Sequence, residues 1–524
     1  MTTSPYSKEN LRIGILHFLL GRGLAGLAGF ATVILLVRYM DVQSYAGYTA
    51  LTGVIVLAGI IAGLGLERAI SRYIPEGRLE RSVADLGRFI WQMSFIRLAA
   101  VLIICLMIYF SWHLLPQLFQ DVTIKEFPLS LACFILAETL FQHFSSILQA
   151  LVMQKILTRI MVIQWAGRLL LILLFVHNHA AISLEDSLWI MAIPEMLGVV
   201  GFVIVLQQML IKLSESQSPE QASHQLQTAN WPNWRDVMQM SMNNYGFTLL
   251  AAPPQGYFMK MLAAAFLPTQ MVAAYGFFLS IAERLRQYIP LHLLYNLIEP
   301  VMIASYLQDK NFKTLSYRSQ LLYKSNLLLL IPVMALIVVA GPTIIGLLTA
   351  GKYQEYSWLL LIVIMQLTVG SHVVLLQLIL NSISASRVLV NAGLWSLIVM
   401  AVATMLVSLI DIRALVLCPL VFSFTCNLYV LFQFKRMQLD YAFSWRMLIG
   451  AVSAGVIATV MSYFIVLELP LSYMQPVLQI VIAGFAVIFL YGIGLVLFKA
   501  IYSSEIDLVK SFFIRKSVVS SPSV

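Results

Sequence analysis

Charge is what this chain has least of. Only 11% of its 524 residues are Asp, Glu, Lys or Arg, against 60% hydrophobic residues, and the mean hydropathy of +0.87 exceeds what a water-facing surface allows. A soluble globule is excluded. The net charge of +9 is spread through short loops between apolar runs, with no single basic stripe, so nucleic acid is not an expected partner. Cysteine is scarce too. Cys105, Cys133, Cys418 and Cys426 all sit in apolar runs without metal-ligand spacing, and Cys418 and Cys426 lie about 12 Å apart along a helix. They read as packing residues, and neither a metal nor another cofactor is expected. The chain contains no phosphate-binding Gly-Lys loop and no nucleophile elbow. ATP-driven or hydrolytic chemistry would need another chain, so this one is not expected to be an enzyme.

Long apolar runs are what it has instead. Stretches of about 20 residues give about fourteen transmembrane spans, near 13–37, 46–66, 89–111, 128–151, 160–177, 188–212, 236–266, 271–300, 322–349, 356–380, 388–409, 412–433, 445–467 and 474–499. The fold class is therefore all-α and integral to the membrane. Lys and Arg gather on alternate loops, beginning with Lys8 and Arg12, whereas the opposite loops hold only Lys125, Lys352 and Arg413. That bias places both termini in the cytoplasm. The first span is too long for a signal-peptide core and lacks a small-residue cleavage site, so it reads as retained.

The longest polar interruption, SESQSPEQASHQLQTANWPN at Ser214–Asn233, has the composition of a flexible linker. It divides the chain into an N-terminal six-helix lobe (1–213), a cytoplasmic linker (214–234), a C-terminal six-helix lobe (235–434) and a final segment (435–524) of two further spans and a cytoplasmic tail. DVQSYAGYTAL at Asp41–Leu51 is echoed by PTQMVAAYGFF at Pro268–Phe278, with Gln43 on Gln270, Ala46 on Ala273 and Tyr48 on Tyr275. An even number of crossings per repeat gives both lobes the same orientation.

Within this apolar background stand Arg22, Arg38, Arg97, Arg168, Lys260, Arg284 and Arg286. Each costs about 2.5–3.5 kcal/mol at mid-bilayer, so together they are expected to line a cationic cavity for an anionic cargo. Arg22 sits among Gly21, Gly23, Gly26 and Gly29, which permit close approach or bending; the alternative is that it snorkels to the interface. In SIAERLRQYIP, helical spacing lets Glu283 face Arg286 and leaves Arg284 as the free charge. Arg97 and Lys260 lie closer to interfaces, and Arg38 reads as an interfacial anchor.

A polar set complements these cations. Glu138, Gln142, Ser145 and Gln149 recur at i, i+4, i+7 and i+11 on one helix face, and Gln164 with Arg168 forms a shorter stripe on the next span. Glu138 either pairs structurally with Arg168 or Arg97, or serves as a protonatable gate. Glu195, beside Pro194, is a further candidate. Pro253 and Pro254 break the ladder of the seventh span where backbone can line a cavity, and Asn243, Asn244 and Gln255 around the break are candidate sugar contacts.

VRYMDVQSYAGYTAL followed by LGLERAISRYIPEGR at Leu64–Arg78, AGKYQEYSWLLLIVIM at Ala350–Met365 and NSISASR at Asn381–Arg387 resemble the signatures of Wzx-type polysaccharide flippases, in the superfamily that also holds the multidrug and toxin extruders and the lipid II flippases. The resemblance implies translocation of a polyprenyl-diphosphate-linked oligosaccharide across a bacterial inner membrane by alternating access, beside a polysaccharide polymerase and glycosyltransferases. Lipid II flippases likewise carry an arginine in the helix that holds Arg22 here. One departure stands out: Met259 precedes Lys260 where many members carry an acidic residue. A multidrug cation antiporter and a nontransporting scaffold for a polysaccharide synthase are the alternative readings.

Overall fold

The computed structural model describes residues 8–114, 119, 129–179, 181–216, 231–383, 385–441, 443–468 and 475–500. The side chains of Arg22, Asn243 and Asn244 lie outside the described residues, as does most of the 214–234 linker. The described residues are helical with no strand. In chain order the α-helices are α1 (Lys8–Tyr39), α2 (Val42–Gly63), α3 (Leu66–Glu80), α4 (Val83–Phe110), α5 (Leu129–Ala150), α6 (Gln154–His179), α7 (Leu184–Ser216), α8 (Trp234–Leu250), α9 (Gly256–Phe266), α10 (Thr269–Arg286), α11 (Pro290–Asp309), α12 (Phe312–Thr349), α13 (Ser357–Ser382), α14 (Ser386–Ile410), α15 (Cys418–Arg436), α16 (Trp445–Glu468) and α17 (Pro476–Leu497). Among the described residues, eleven helices are long and apolar enough to cross a membrane. The other predicted spans fall on α1 and on two interrupted pairs, α8–α9 and α10–α11.

Proline explains both interruptions. Pro253 and Pro254 fall between α8 and α9, as the missing donors require. The span predicted as continuous over 271–300 also divides, because Pro290 opens α11 and holds Ile289 in an extended conformation. Glu283, Arg284 and Arg286 therefore occupy the last turns of α10, and not the middle of one long helix. A short helix, α3, lies where the sequence analysis placed a loop. Its apolar residues Leu66, Ala69, Ile70, Tyr73 and Ile74 are buried, while Arg68, Ser71 and Arg72 are exposed. A 15-residue amphipathic segment is too short and too polar for a search tuned to spans.

Contacts divide the chain into two compact units. Unit 1 comprises residues 1–285 and 393–422, and unit 2 comprises 286–392 and 423–524. In unit 1, α1 packs on α6, α5 on α7, and α2 on α5 and α9. Small residues of α2 and its end bring α8, α9 and α10 into the same body, which is why its boundary differs from the predicted linker. A Cβ at Gly53 would come 2.6 Å from the carbonyl of Tyr257 in α9, and one at Gly276 of α10 would collide with Thr49. Those last two residues belong to the echoed segments, so the echo packs against itself. Gly65 joins α2 to α3 with φ +69°, and a Cβ there would collide with the carbonyl of Ser241 in α8. Gly65→Ala therefore adds left-handed strain of roughly 1–2 kcal/mol to a backbone clash. It is expected to lower the melting temperature of the detergent-solubilised protein by several degrees, checked by thermal unfolding; an unchanged melting temperature would refute this packing.

In unit 2, α12 packs against α11, α13, α16 and α17, and the C-terminal pair α16–α17 packs together. A Cβ at Gly494 of α17 would approach Ala454 of α16 at 2.7 Å. Two buried polar side chains here, His372 and Asn427, satisfy each other. His372 meets Asn427 at 3.0 Å and Tyr441 at 2.9 Å, and Asn427 donates its amide to the Val369 carbonyl at 3.2 Å. Because that bond turns the Asn427 oxygen toward the ring, Nδ1 of His372 donates to it, and Nε2 is left facing the Tyr441 hydroxyl.

Candidate functional site

The site of unit 1 is built on α6. Gln164, Trp165 and Arg168 occupy adjacent turns of this helix, and all three are buried. Pro194 of α7 sits 3.4 Å from where a Cβ at Gly167 would be, so the two helices approach closely and Glu195 is held against α6. Glu195 Oε1 accepts from Arg168 Nη2 and, at 2.9 Å, from Gln164 Nε2. Glu138 was one expected partner of Arg168; the structure pairs Arg168 with Glu195, which α7 brings against this turn at the Gly167 notch. Glu138 of α5 is half-buried and accepts from Gln142 at 2.6 Å. Its carboxylate lies within electrostatic and hydrogen-bonding reach of Glu195.

Arg284 completes the group from α10. Its Cζ lies 4.1 Å from the centroid of the Trp165 ring, and that of Arg168 lies 4.2 Å from the same ring. Two guanidiniums share one indole. Arg168 is neutralised by Glu195. Arg284 forms no hydrogen bond or ion pair with any described residue, and the charges it senses are those of Arg168, Glu283, Tyr48 and Glu138. Tyr48 of α2 lies within electrostatic reach of Arg168, Arg284, Glu195 and Glu138. At 1.5 Å rise per residue, Glu138, Arg168 and Glu195 are each about 13–17 Å from the nearer end of the 39–42, 129 and 179–184 corner, half the thickness of a hydrocarbon core of about 30 Å.

The other candidates go elsewhere. Arg97 is buried and donates Nη1 to Glu67 at 3.1 Å, against Gly63, where a Cβ would come 2.6 Å from that nitrogen. The predicted Glu138–Arg97 pairing is thereby corrected: Glu67, at the start of α3, is the partner that a loop reading of that segment hid. Lys260 of α9 pairs with Glu283 at 3.3 Å, so Glu283 is engaged by a lysine from the neighbouring helix. Arg286 is exposed and donates to His292 at 3.5 Å. Gln255 is half-buried and caps α9 with its backbone. Arg22, Asn243 and Asn244 have no described side chain to place. Tyr48, Glu67 and Trp165 were missed. Tyr48 stood in the echoed segment, and Trp165, three residues before Arg168, was counted as an apolar member of a span. Among the described residues no group of three or more His, Cys, Asp or Glu is arranged to hold a metal ion.

An intramembrane cluster of two carboxylates, two guanidiniums and an indole on a helical, proline-broken frame marks a functional site in a membrane-spanning chain. Solved structures share the frame. The structure of "Lipid II flippase MurJ, inward closed conformation" superposes with a TM-score of 0.67 at 13% identity, over 91% of this chain and 98% of that one. A MATE-family multidrug resistance transporter of the MOP superfamily, inward-facing, gives 0.58 at 13% identity, over 82% and 100%. The Vibrio cholerae MATE transporter VcmN gives 0.54 at 16% identity, over 82% and 97%. Curated proteins gave no match. Residues 11–295 match the family profile described as "Polysaccharide biosynthesis protein", and the chain belongs to that family. It is a multi-pass membrane protein with the transporter fold of the flippases and MATE proteins.

Proposed function

We propose that the protein flips a polyprenyl-diphosphate-linked oligosaccharide from the cytoplasmic to the outer leaflet of a bacterial inner membrane, for exported or surface polysaccharide. It acts by alternating access of two lobes, with both termini cytoplasmic and a polymerase and glycosyltransferases as neighbours. It performs no chemistry on the cargo. The observation that carries this reading is Arg284, a guanidinium at membrane depth whose donors have no partner among the described residues. A diphosphate headgroup supplies oxyanions for planar, charge-assisted bonds, while the lipid tail stays in the bilayer. Arg168, neutralised by Glu195, shapes the site; Arg22, Asn243, Asn244 and Gln255 are further candidate contacts to headgroup and sugar. Glu138 is the candidate for proton coupling. A multidrug antiporter exporting a cation is the second reading, favoured by the two carboxylates, Glu138 and Glu195, in the same cluster. A nontransporting scaffold leaves those buried charges without a role.

The electrical driving force separates coupling modes. A diphosphate carrying two negative charges outward gains about 2.3 kcal/mol per charge per 100 mV, except where protein charge moves with it. In vesicles whose lipid-linked sugar is followed in the outer leaflet, valinomycin with potassium is expected to slow flipping strongly and nigericin to slow it little. Flipping that survives loss of the potential and stops when the pH gradient alone is removed would contradict this order and make Glu138 the coupling residue.

A further inference from the structure

The geometry points to Trp165 and Gly29 as positioning residues that clamp the Arg284 guanidinium and present its N–H donors to a diphosphate. This rests on the proposed cargo. A Cβ built on Gly29 of α1 would lie 3.3 Å from Arg284 Cζ, 3.3 Å from Nε and 3.4 Å from Nη1. Near-equal distances to three atoms of a planar group place that point over the face of the plane, not at its edge. No Trp165 atom is among its three nearest neighbours, yet the indole centroid is 4.1 Å from Cζ. The indole thus packs on the same guanidinium as the Gly29 backbone. A side chain at position 29 would crowd that face, and already a methyl group there would press the guanidinium to give way by a few tenths of an ångström.

The clamp separates two jobs. The indole face, buried in unit 1, attracts the cation without using a single N–H donor. A carboxylate in its place would hold the arginine equally well, but would consume those donors and cancel its charge. Arg168, on the same ring, shows that alternative, with its charge spent on Glu195. Arg284 is thus kept fixed, charged and undocked. A planar fork offering two parallel bonds suits a phosphoryl group, and lysine at this position supplies only a point charge.

Calorimetry on the full chain in nanodiscs tests this with two probes: inorganic diphosphate in solution, and a polyprenyl diphosphate included in the bilayer. Trp165→Leu and Gly29→Ala are each expected to raise Kd about tenfold, the scale of a desolvated cation–π contact, with the number of binding sites unchanged. A purely structural role would lower the number of sites and leave Kd alone. Trp165→Phe, which keeps an aromatic face, is expected to fall between wild type and Trp165→Leu, and Arg284→Lys to resemble Trp165→Leu. Binding of the lipid-borne probe alone would assign the headgroup of a lipid as the ligand, with the same ranking of variants. Wild-type Kd in Trp165→Leu and Gly29→Ala, with binding lost in Arg284→Ala, would overturn the clamp and leave the cargo standing. Wild-type binding in Arg284→Ala would overturn the cargo reading itself.

Discussion

Arg284→Ala is expected to abolish polysaccharide export while leaving the amount of inserted protein unchanged. The variant removes a cation that no described carboxylate pairs with, so no buried partner is left stranded, and the cost of holding an arginine at membrane depth disappears with it. Its loss therefore falls on the cargo and not on the fold. Surface polymer and membrane-protein level, measured in the same cells, check this. Normal polymer at normal protein level would remove Arg284 from the transport path.

Arg168→Ala is expected to do the opposite. Glu195 is buried beside it and within reach of the Glu138 carboxylate, and stripping away the guanidinium leaves two acidic groups facing each other without the cation that pairs with Glu195, at a cost of about 3–5 kcal/mol. Protein level should collapse. Replacing both members, Arg168→Met with Glu195→Leu, is expected to restore the protein, because the pair is roughly neutral against an apolar substitute of similar volume. The double variant should retain part of its export, whereas Arg284→Ala retains none. A double variant as scarce as Arg168→Ala would show that the pair is not self-contained and that Glu138 or Tyr48 depends on it.

Much of this was readable in the chain because bilayer physics is strict. Apolar runs and the scarcity of charge required spanning helices, and Pro253–Pro254 announced the α8–α9 break. Pro290 carried the same message but lay at the end of an apolar run that a 20-residue window joined smoothly. At the site, the sequence identified Arg168, Glu195, Glu138 and Arg284 as charges out of place in lipid. It did not identify their partners. Helical periodicity relates residues on one helix, whereas Arg168–Glu195, Arg97–Glu67 and Lys260–Glu283 join different helices, and their choice depends on glycine notches at Gly167 and Gly63 that have no spacing code. Trp165 escaped for another reason: an indole in a membrane span looks like packing until a second helix lays a cation on it.

The central claim is that the cargo is an anionic lipid-linked diphosphate. Its most direct test is equilibrium binding by the purified protein of a polyprenyl-diphosphate oligosaccharide, set beside a lipophilic organic cation, in wild type and in Arg284→Ala. The account predicts saturable binding of the diphosphate by wild type, its loss in Arg284→Ala and no saturable binding of the cation. Saturable binding of the cation, insensitive to Arg284, together with no binding of the diphosphate, would contradict it and establish the extruder reading.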